Sequence, residues 1–282
     1  MPERPAMPPP ADVERHYASG GIAERILAAL RAVHGPDAVV NPAALAPLDH
    51  FHGRGLAATE ELVARLDPRP GEHLLDIGAG IGGPARWIAD RFGCRVSGVD
   101  LTRAFVEAAE VLTAAVGLAA RVRVHHADAL ALPFADLTFD RAYSQNVVMN
   151  VADKLGFYRE ALRVLRPGGV LVLSNLCAGT AGEPLFPVPW AESAATSFLS
   201  TPEQTRADLE AAGFTAVEVH DTTEAVLPRQ AAMRRRLERE GFPPLGLHVL
   251  MGERMRELQI NSMRSIEESR ARTVEVVARR PG

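Results

Sequence analysis

The sequence predicts an α/β protein built on a largely parallel, doubly wound sheet, and three observations favour this class. Short apolar segments alternate with amphipathic segments of roughly 10–15 residues along most of the chain. A glycine-rich turn follows the first apolar segment of this alternation. The 282 residues, of which 47% are hydrophobic, provide enough apolar side chains for the core of one large domain with additions.

The N-terminal quarter of the chain is predicted to be helical. Apolar residues recur at helical spacing over residues 12–35 and again over 56–66. The stretch between them, residues 41–55, contains His and Gly and is predicted to be a loop. The proline-rich residues 1–10 predict a disordered tail, so we assign residues 11–66 to an N-terminal helical lid.

Strands and helices then alternate, and several helices carry local start or stop signals. Pro84 suits a first helical turn, Gly117 ends a helix, and Thr201 followed by Pro202 is a typical helix start. In order, the predicted elements are strand 73–78, helix 83–92, strand 95–100, helix 103–117, strand 121–128, strand 139–145, helix 154–169, strand 170–176, helix 201–213, and strands 215–221 and 272–280.

Two later regions do not follow this alternation. Residues of about 177–200 and 224–269 read as helical segments interrupted by proline and containing methionine. The ligand crevice of a doubly wound sheet lies at the carboxyl ends of its strands. We therefore predict that both regions are cap insertions in a domain of residues 67–282.

Charge and cysteine content exclude several classes of function. A net charge of −4 gives no electrostatic reason to bind nucleic acid or an anionic membrane. The two cysteines belong to no metal-binding or disulfide pattern, which predicts no metal site and a reducing, cytoplasmic location. We expect a small molecule as the partner and a monomer or homo-oligomer as the assembly.

The stretch LLDIGAGIGG, which begins at Leu74, poses the central question of function. Gly78, Gly80 and Gly83 fit the spacing G-x-G-x-x-G, which is associated with dinucleotide binding. However, Asp76 precedes the first glycine by two residues and would repel a pyrophosphate. A carboxylate there suits a cationic ligand such as S-adenosylmethionine (SAM), which carries an ammonium and a sulfonium group.

Further carboxylates follow the next two strands. Asp100, with Leu101 after it, can accept hydrogen bonds from ribose hydroxyls, although that position also suits NAD. Asp128 and Ala129 lie where a carboxylate can meet the adenine amino group, and helix or turn capping is the structural alternative for both aspartates. The segment after the fourth strand should then place Ser144, Gln145 and Asn146 near the reacting centre.

These motifs together resemble the class I SAM-dependent methyltransferases over roughly residues 70–220. LLDIGAGIGG is similar to their first motif, VSGVDLT to the next segment, and EALRVLRPGGVLVLSN to a later helix, turn and strand. The resemblance implies a Rossmann-like, seven-stranded, mostly parallel sheet with helices on both faces, a helical cap and an antiparallel last strand. It implies SAM as cofactor, with Asp76, Gly78, Ala79, Gly80, Asp100, Leu101, Asp128, Ala129, Ser144 and Gln145 as binding residues.

Within this class the chain is most similar to the ubiquinone-biosynthesis-type and small-molecule group. Its N-terminal segments resemble those of sarcosine/dimethylglycine N-methyltransferases and of natural-product enzymes. That resemblance implies that Tyr17 closes over the cofactor. His52 is a candidate base or substrate contact, and Asn146 is a candidate for orienting the acceptor.

The predicted function is methyl transfer to a small-molecule acceptor, with an amine or a hydroxyl group favoured. Some relatives carry a His as general base shortly after the fourth strand, but residues 147–150 here are Val-Val-Met-Asn. The missing His favours an amine acceptor, or an oxygen acceptor for which His52 acts as the base. Two alternatives are a SAM-binding scaffold repurposed for cyclisation or binding, and a nicotinamide-dependent oxidoreductase.

Overall fold

Seven strands form one sheet, as the resemblance implies. The structure is a computed structural model that describes residues 21–50, 54–252 and 254–282. The strands are β1 (His73–Ile77), β2 (Arg95–Asp100), β3 (Val122–His126), β4 (Phe139–Gln145), β5 (Leu165–Ala178), β6 (Thr215–Asp221) and β7 (Ala271–Arg279).

The order of the strands is β3-β2-β1-β4-β5-β7-β6. The first five strands of this order pair in parallel, whereas β7 is antiparallel to both of its neighbours, β5 and β6. The predicted mostly parallel sheet with an antiparallel last strand is therefore confirmed. The strand order reverses between β1 and β4, and such a reversal opens a ligand crevice at the carboxyl ends of the strands.

Ten α-helices lie within the described residues. They are α1 (Ile22–His34), α2 (Pro42–Asp49), α3 (Leu56–Leu66), α4 (Gly83–Phe92), α5 (Arg103–Ala115), α6 (Lys154–Val164), α7 (Pro202–Ala212), α8 (Thr223–Glu240), α9 (His248–Met251) and α10 (Met255–Glu267). No helix in this part of the chain is long and apolar enough to cross a membrane.

The sheet buries both of its faces, because neighbouring residues of each central strand point to opposite sides. On β1, Leu75 packs in a cluster with the apolar residues of α6 and α7. Its neighbour Leu74 packs in a second cluster with residues of α3 and α4. Helices therefore cover both faces, as predicted.

Residues 42–49 correct one prediction, because they form helix α2 where the sequence predicted a loop. The Asn41 side chain caps this helix by accepting a hydrogen bond of 2.9 Å from the backbone N–H of Ala44. Pro42 occupies the first turn, and the helix buries Leu45 and Leu48 completely. The His and Gly residues that suggested a loop lie after the helix ends.

Two other predicted elements differ from the structure. The helix predicted over 154–169 together with its terminator ends at Val164, and the terminator residues already belong to β5, where Leu165 pairs with Phe139. Pro167 explains the early end, since the residue before a proline disfavours helical geometry. Residues 179–201 are mainly irregular rather than helical, with one short 3₁₀ turn at Ala194–Thr196.

Candidate functional site

The glycine turn after β1 is shaped by backbone contacts. Gly78 and Gly80 have φ values of 80° and 54°, a region that favours glycine. The N–H groups of Gly78 and Ala79 both donate to the carbonyl of Val99 at 2.9 Å. A Cβ atom on Gly78 would meet Cγ2 of Val147 at 2.2 Å, so this glycine is required by a close approach of the segment after β4.

Asp100, at the end of β2, is bound to the glycine turn by its side chain. One carboxylate oxygen accepts the backbone N–H of Gly80 and the other accepts that of Thr102, each at 2.8 Å. Burial raises the pKa of Asp100, and these backbone hydrogen bonds oppose the shift. Each oxygen has a further lone pair, so the carboxylate can still accept hydroxyl groups from a ligand.

Asp76, at the end of β1, is a buried carboxyl group with a raised pKa. It is 2% exposed, and its Oδ2 accepts a hydrogen bond of 2.9 Å from the Tyr143 hydroxyl. Burial raises the pKa of Asp76 to about 7, against the opposing effect of the Tyr143 hydrogen bond and with a further contribution from Asp100. A carboxyl group in this state gains from a cationic neighbour.

A cavity of about 240 Å³ opens at the carboxyl ends of β1, β2 and β4, and we call it the cofactor cavity. The charged groups among its described lining residues are all carboxylates: Asp49, Asp76, Asp100 and Asp128. Most of the residues predicted to bind cofactor line it, namely Asp76, Gly78, Ala79, Gly80, Asp100, Leu101, Asp128, Ala129 and Gln145.

Three predicted site residues are not placed there. Ser144 is 1% exposed and is absent from the cavity lining, because its hydroxyl donates to the Ile77 carbonyl at 2.6 Å between β4 and β1. Successive side chains of a strand point to opposite faces of the sheet. Ser144 therefore does not line the cavity that its neighbour Gln145 lines. Tyr17 and His52 lie outside the described residues.

Asp128 caps the turn after β3, which is the structural alternative that the sequence offered, and it also lines the cavity. Its Oδ1 accepts the backbone N–H of Leu130 at 2.9 Å. Such a hydrogen bond shapes the turn after β3. It also fixes the carboxylate at the cavity wall, so the structural role and a binding role are compatible.

The sequence prediction missed a buried charge network beside the glycine turn. Arg86 of α4 is completely buried and donates to Asp49 at 2.9 Å and to the carbonyl of Ile81 at 2.7 Å. Asp49 also contacts His50 at 3.0 Å. Burial works to raise the pKa of Asp49, but the His50 hydrogen bond and the Arg86 charge hold it below its ordinary value.

This network joins α2 to the start of α4. A Cβ atom on Gly83 would meet the carbonyl oxygen of Asp49 at 2.1 Å, so the third glycine of the motif serves contact between these helices. Arg86 lies three residues after Gly83, one turn into the helix. This position close to the glycine motif is the only feature of the sequence that points to a role for Arg86. Its partner Asp49 is distant in sequence and was not predictable.

The segment after β4 connects the cofactor cavity to the rest of the site. Asn146 has a φ of 55° and its backbone N–H donates to the carbonyl of Ser174 at 2.8 Å. Asn150 lines the cofactor cavity and donates to the Trp190 carbonyl at 2.6 Å. Lys154 supports the segment by donating to the carbonyls of Val148 and Val151 at 2.8 and 2.9 Å.

A second cavity of about 310 Å³ lies beyond this segment, and we call it the acceptor cavity. Its walls come from β5, from the start of α3, from Pro189 and Trp190, and from α8 and α10, so both predicted cap regions contribute. Asn146 lines both cavities. The side chain at residue 146 therefore stands where the two spaces meet.

Known methyltransferases are similar to this chain in sequence. A family profile described as "Methyltransferase domain" matches residues 75–173. The chain is 31% identical over 219 residues to the O-methyltransferase resE of Aspergillus sclerotiorum, which covers 74% of this chain and 77% of that protein. The chain belongs to the SAM-dependent methyltransferases.

Other known proteins match over a shorter stretch or at lower identity. This methyltransferase is 38% identical over 129 residues to the methyltransferase GfsG of Streptomyces halstedii, and the match spans 46% of each chain. The cyclase SpnF superposes with a TM-score of 0.70 at 22% identity, over 99% of both chains. The match to GfsG therefore spans only about half of that relative, and the similarity to SpnF concerns the fold alone.

Proposed function

We propose that this protein transfers the methyl group of SAM to a small-molecule acceptor. The observation that carries the proposal is the junction of two cavities at Asn146. One cavity is built from the glycine turn and four carboxylates, and the other is mainly apolar. An enzyme that transfers a group between two molecules needs two such spaces in contact, because the reacting atoms must be held in line.

The charges of the cofactor cavity fit SAM better than a dinucleotide. Its described lining contains four aspartates and no Arg, Lys or His. Asp49 is paired with Arg86, but a pyrophosphate beside Asp76 would be repelled, whereas an ammonium group would stabilise the ionised form of this buried carboxyl group. The electrostatic argument from the sequence thus extends to the whole described lining.

A buried donor in the same cavity also fits a ligand. The Gln145 side chain accepts a hydrogen bond from Thr59 at 3.3 Å, while its Nε2 is buried without a partner in the described part of the chain. A buried amide N–H without an acceptor costs about 1–3 kcal/mol. A ligand oxygen in the cofactor cavity would recover that free energy.

Each residue has a defined task in this proposal. Asp76 binds the ammonium of the methionine part, Gly78 and Gly80 let it approach the backbone, Asp100 accepts the ribose hydroxyls and Asp128 faces the adenine. Asn146 orients the acceptor at the boundary of the cavities. The carboxylates are fixed in advance by hydrogen bonds, so little reorganisation is needed on binding.

SAM supplies an electrophilic methyl group: an acceptor lone pair forms the new bond to carbon while the carbon–sulfur bond breaks and its electron pair stays on sulfur. In this proposal the proton of a hydroxyl or amine acceptor passes to His52, the candidate base predicted from the sequence, or to water outside the cavities when the product leaves. The protein contributes alignment and exclusion of water from the cavities.

Calorimetry and a product assay test the proposal. We expect SAM and S-adenosylhomocysteine to bind and NAD to bind far more weakly, because the cavity carboxylates oppose its pyrophosphate. Incubation with SAM and a panel of hydroxyl and amine compounds should then yield S-adenosylhomocysteine. Binding of NAD in preference to SAM would refute the cofactor assignment, and SAM binding without turnover on any acceptor would favour a scaffold.

The location and the assembly stay predictions. Cys94 and Cys177 are both buried and free, which agrees with the reducing cytoplasm that we infer. Cell fractionation would test that location. Sedimentation analysis of the purified protein would decide between a monomer and a homo-oligomer.

A further inference from the structure

The walls of the acceptor cavity are mostly apolar and adaptable. Met149, Met255 and Met263 line it together with Trp190, and all four are at most 7% exposed. Methionine side chains adjust to irregular apolar shapes. A volume of about 310 Å³ is room for on the order of 20 water-sized groups, enough for a molecule of two or three rings.

The charged groups of the acceptor cavity are opposite in sign to those of the cofactor cavity. Arg54 and Arg229 line it, and no Asp or Glu is found among its described lining residues. Glu61 contacts both arginines, at 3.8 Å in the case of Arg229. Glu61 balances one of the two guanidinium groups, and the remaining positive charge lies on the solvent-exposed side of this wall, because the Arg229 side chain is 67% exposed; this charge weakly disfavours a cationic acceptor.

Two amide oxygens of the same cavity lack hydrogen-bond donors. Asn175 on β5 is 8% exposed, and its Oδ1 is buried without a partner in the part of the chain that the structure describes. Oε1 of Gln230 on α8 is likewise buried without a hydrogen-bond partner among the described residues. Since buried acceptors without donors are costly, both oxygens indicate a ligand that carries O–H or N–H groups.

The charge and the hydrogen-bonding observations together select one kind of ligand. An ammonium group would satisfy the two amide oxygens but is opposed by the arginines, whereas a hydroxyl group satisfies them without a charge. We infer that the acceptor is an uncharged, largely apolar molecule of two or three rings whose hydroxyl groups donate to Asn175 and Gln230. This inference rests on the proposed function and favours its hydroxyl option over its amine option.

A matched pair of ligands tests the inference. The protein is first saturated with S-adenosylhomocysteine, and its binding is itself measured. A naphthalenediol and naphthylmethylamine, which have the same ring system, are then titrated calorimetrically at neutral pH, where the amine is protonated. We expect the diol to bind at least about tenfold more tightly than the amine.

Variants of Asn175 locate the contact. Asn175→Leu, which removes the amide oxygen at similar volume, should weaken diol binding about tenfold. Asn175→Asp keeps an oxygen acceptor and adds a negative charge, so it should raise the affinity for the amine. Gln204→Leu, the same kind of change at an exposed residue of α7 outside both cavities, is the control and should leave diol binding unchanged.

The outcomes separate this inference from the proposed function. Failure of S-adenosylhomocysteine to bind would count against the proposed function. If it binds, the inference is overturned by tighter binding of the amine than of the diol, by the absence of diol binding, or by an unchanged diol affinity in Asn175→Leu. Preference for the diol together with its loss in Asn175→Leu would support an uncharged, hydroxyl-bearing ligand in this cavity.

Discussion

The hydroxyl group of Tyr143 donates a 2.9 Å hydrogen bond to Oδ2 of Asp76, and both side chains are buried between β1 and β4. This contact holds the carboxyl group in place at the floor of the cofactor cavity. Burial raises the pKa of Asp76 to about 7, so its charge changes within the physiological range. The first three predictions follow from this pair.

The affinity for SAM should depend on pH through Asp76. Binding of an ammonium group requires the ionised carboxylate, so affinity should fall about tenfold for each pH unit below 7. Above pH 8 the amino group of the ligand begins to lose its own proton, at about its ordinary pKa. Calorimetric titrations from pH 5 to about pH 9 should therefore show a maximum near pH 7.5, and a flat profile would contradict the role of Asp76.

The substitution Asp76→Asn should raise stability while lowering affinity. The pKa of Asp76 is about 7 in the folded protein and about 4 in the unfolded chain, so folding takes up a proton and stability falls as pH rises from about 4 to 7. Asn carries no charge to bury, so the free energy of unfolding of the ligand-free protein should rise by a few kcal/mol at pH 8. Thermal unfolding with and without ligand measures both effects.

The matched ligand for this variant is methylthioadenosine, which lacks the amino acid part of S-adenosylhomocysteine. Asp76→Asn should weaken S-adenosylhomocysteine about tenfold to a hundredfold, because a charge-assisted hydrogen bond is lost. The affinity of the Asp76→Asn variant for methylthioadenosine should equal that of the unchanged protein. Equal loss for both ligands would mean that the substitution deforms the cavity.

Tyr143→Phe should shift the pH profile of SAM binding upward. The Tyr143 hydrogen bond lowers the pKa of Asp76 against the effect of burial, so its removal should raise that pKa by about one further unit. Affinity at pH 9 should be little changed, while affinity at pH 7 should drop. A uniform loss at all pH values would instead indicate a purely structural role for Tyr143.

Arg86→Met should destabilise the fold and loosen the cofactor cavity. The substitution removes the guanidinium partner of Asp49, which is 2% exposed and keeps its contact with His50, and breaking such a buried ion pair costs about 3–5 kcal/mol. Denaturant unfolding would measure it. Arg236→Met, which breaks an exposed ion pair with Glu240, is the control and should cost no more than about 0.5 kcal/mol.

The first two glycines of the motif should respond differently to alanine. Gly78→Ala adds a Cβ that meets Val147 at 2.2 Å and forces an unfavourable φ, which together cost about 2–4 kcal/mol. Gly80→Ala meets no described atom within 4 Å and should cost only about 1–2 kcal/mol for its φ of 54°. Chemical denaturation gives both values.

A second substitution separates the two causes at Gly78. Adding Val147→Ala to Gly78→Ala should recover the part of the loss that comes from the clash but not the part that comes from φ. Val147→Ala alone provides the reference for the double-mutant cycle. Additivity of the two changes would show that the contact between Gly78 and Val147 is not responsible.

Local sequence patterns determined the sheet and most of the cofactor cavity. Strand β4 and helix α4 begin and end where the sequence predicted, because alternating and helical apolar periods are local properties of the chain. Asp76, Asp100 and Asp128 were identifiable because carboxyl ends of parallel strands meet at one edge of the sheet. The prediction of a loop at 42–49 was wrong because helix α2 forms there, capped by Asn41, and the prediction of helix over about 177–200 was wrong because residues 179–201 are mainly irregular.

The tertiary structure alone decided which distant residues share a surface. Tyr143 lies 67 residues from Asp76, and Arg86 lies 37 residues from Asp49, and no local pattern relates the members of either pair. The acceptor cavity likewise combines residues of β5, α3, α8 and α10, which are far apart in the chain and meet only in the folded structure. Periodicity and motifs act over a few residues, whereas burial, pKa and cavity charge depend on packing between elements far apart in the chain.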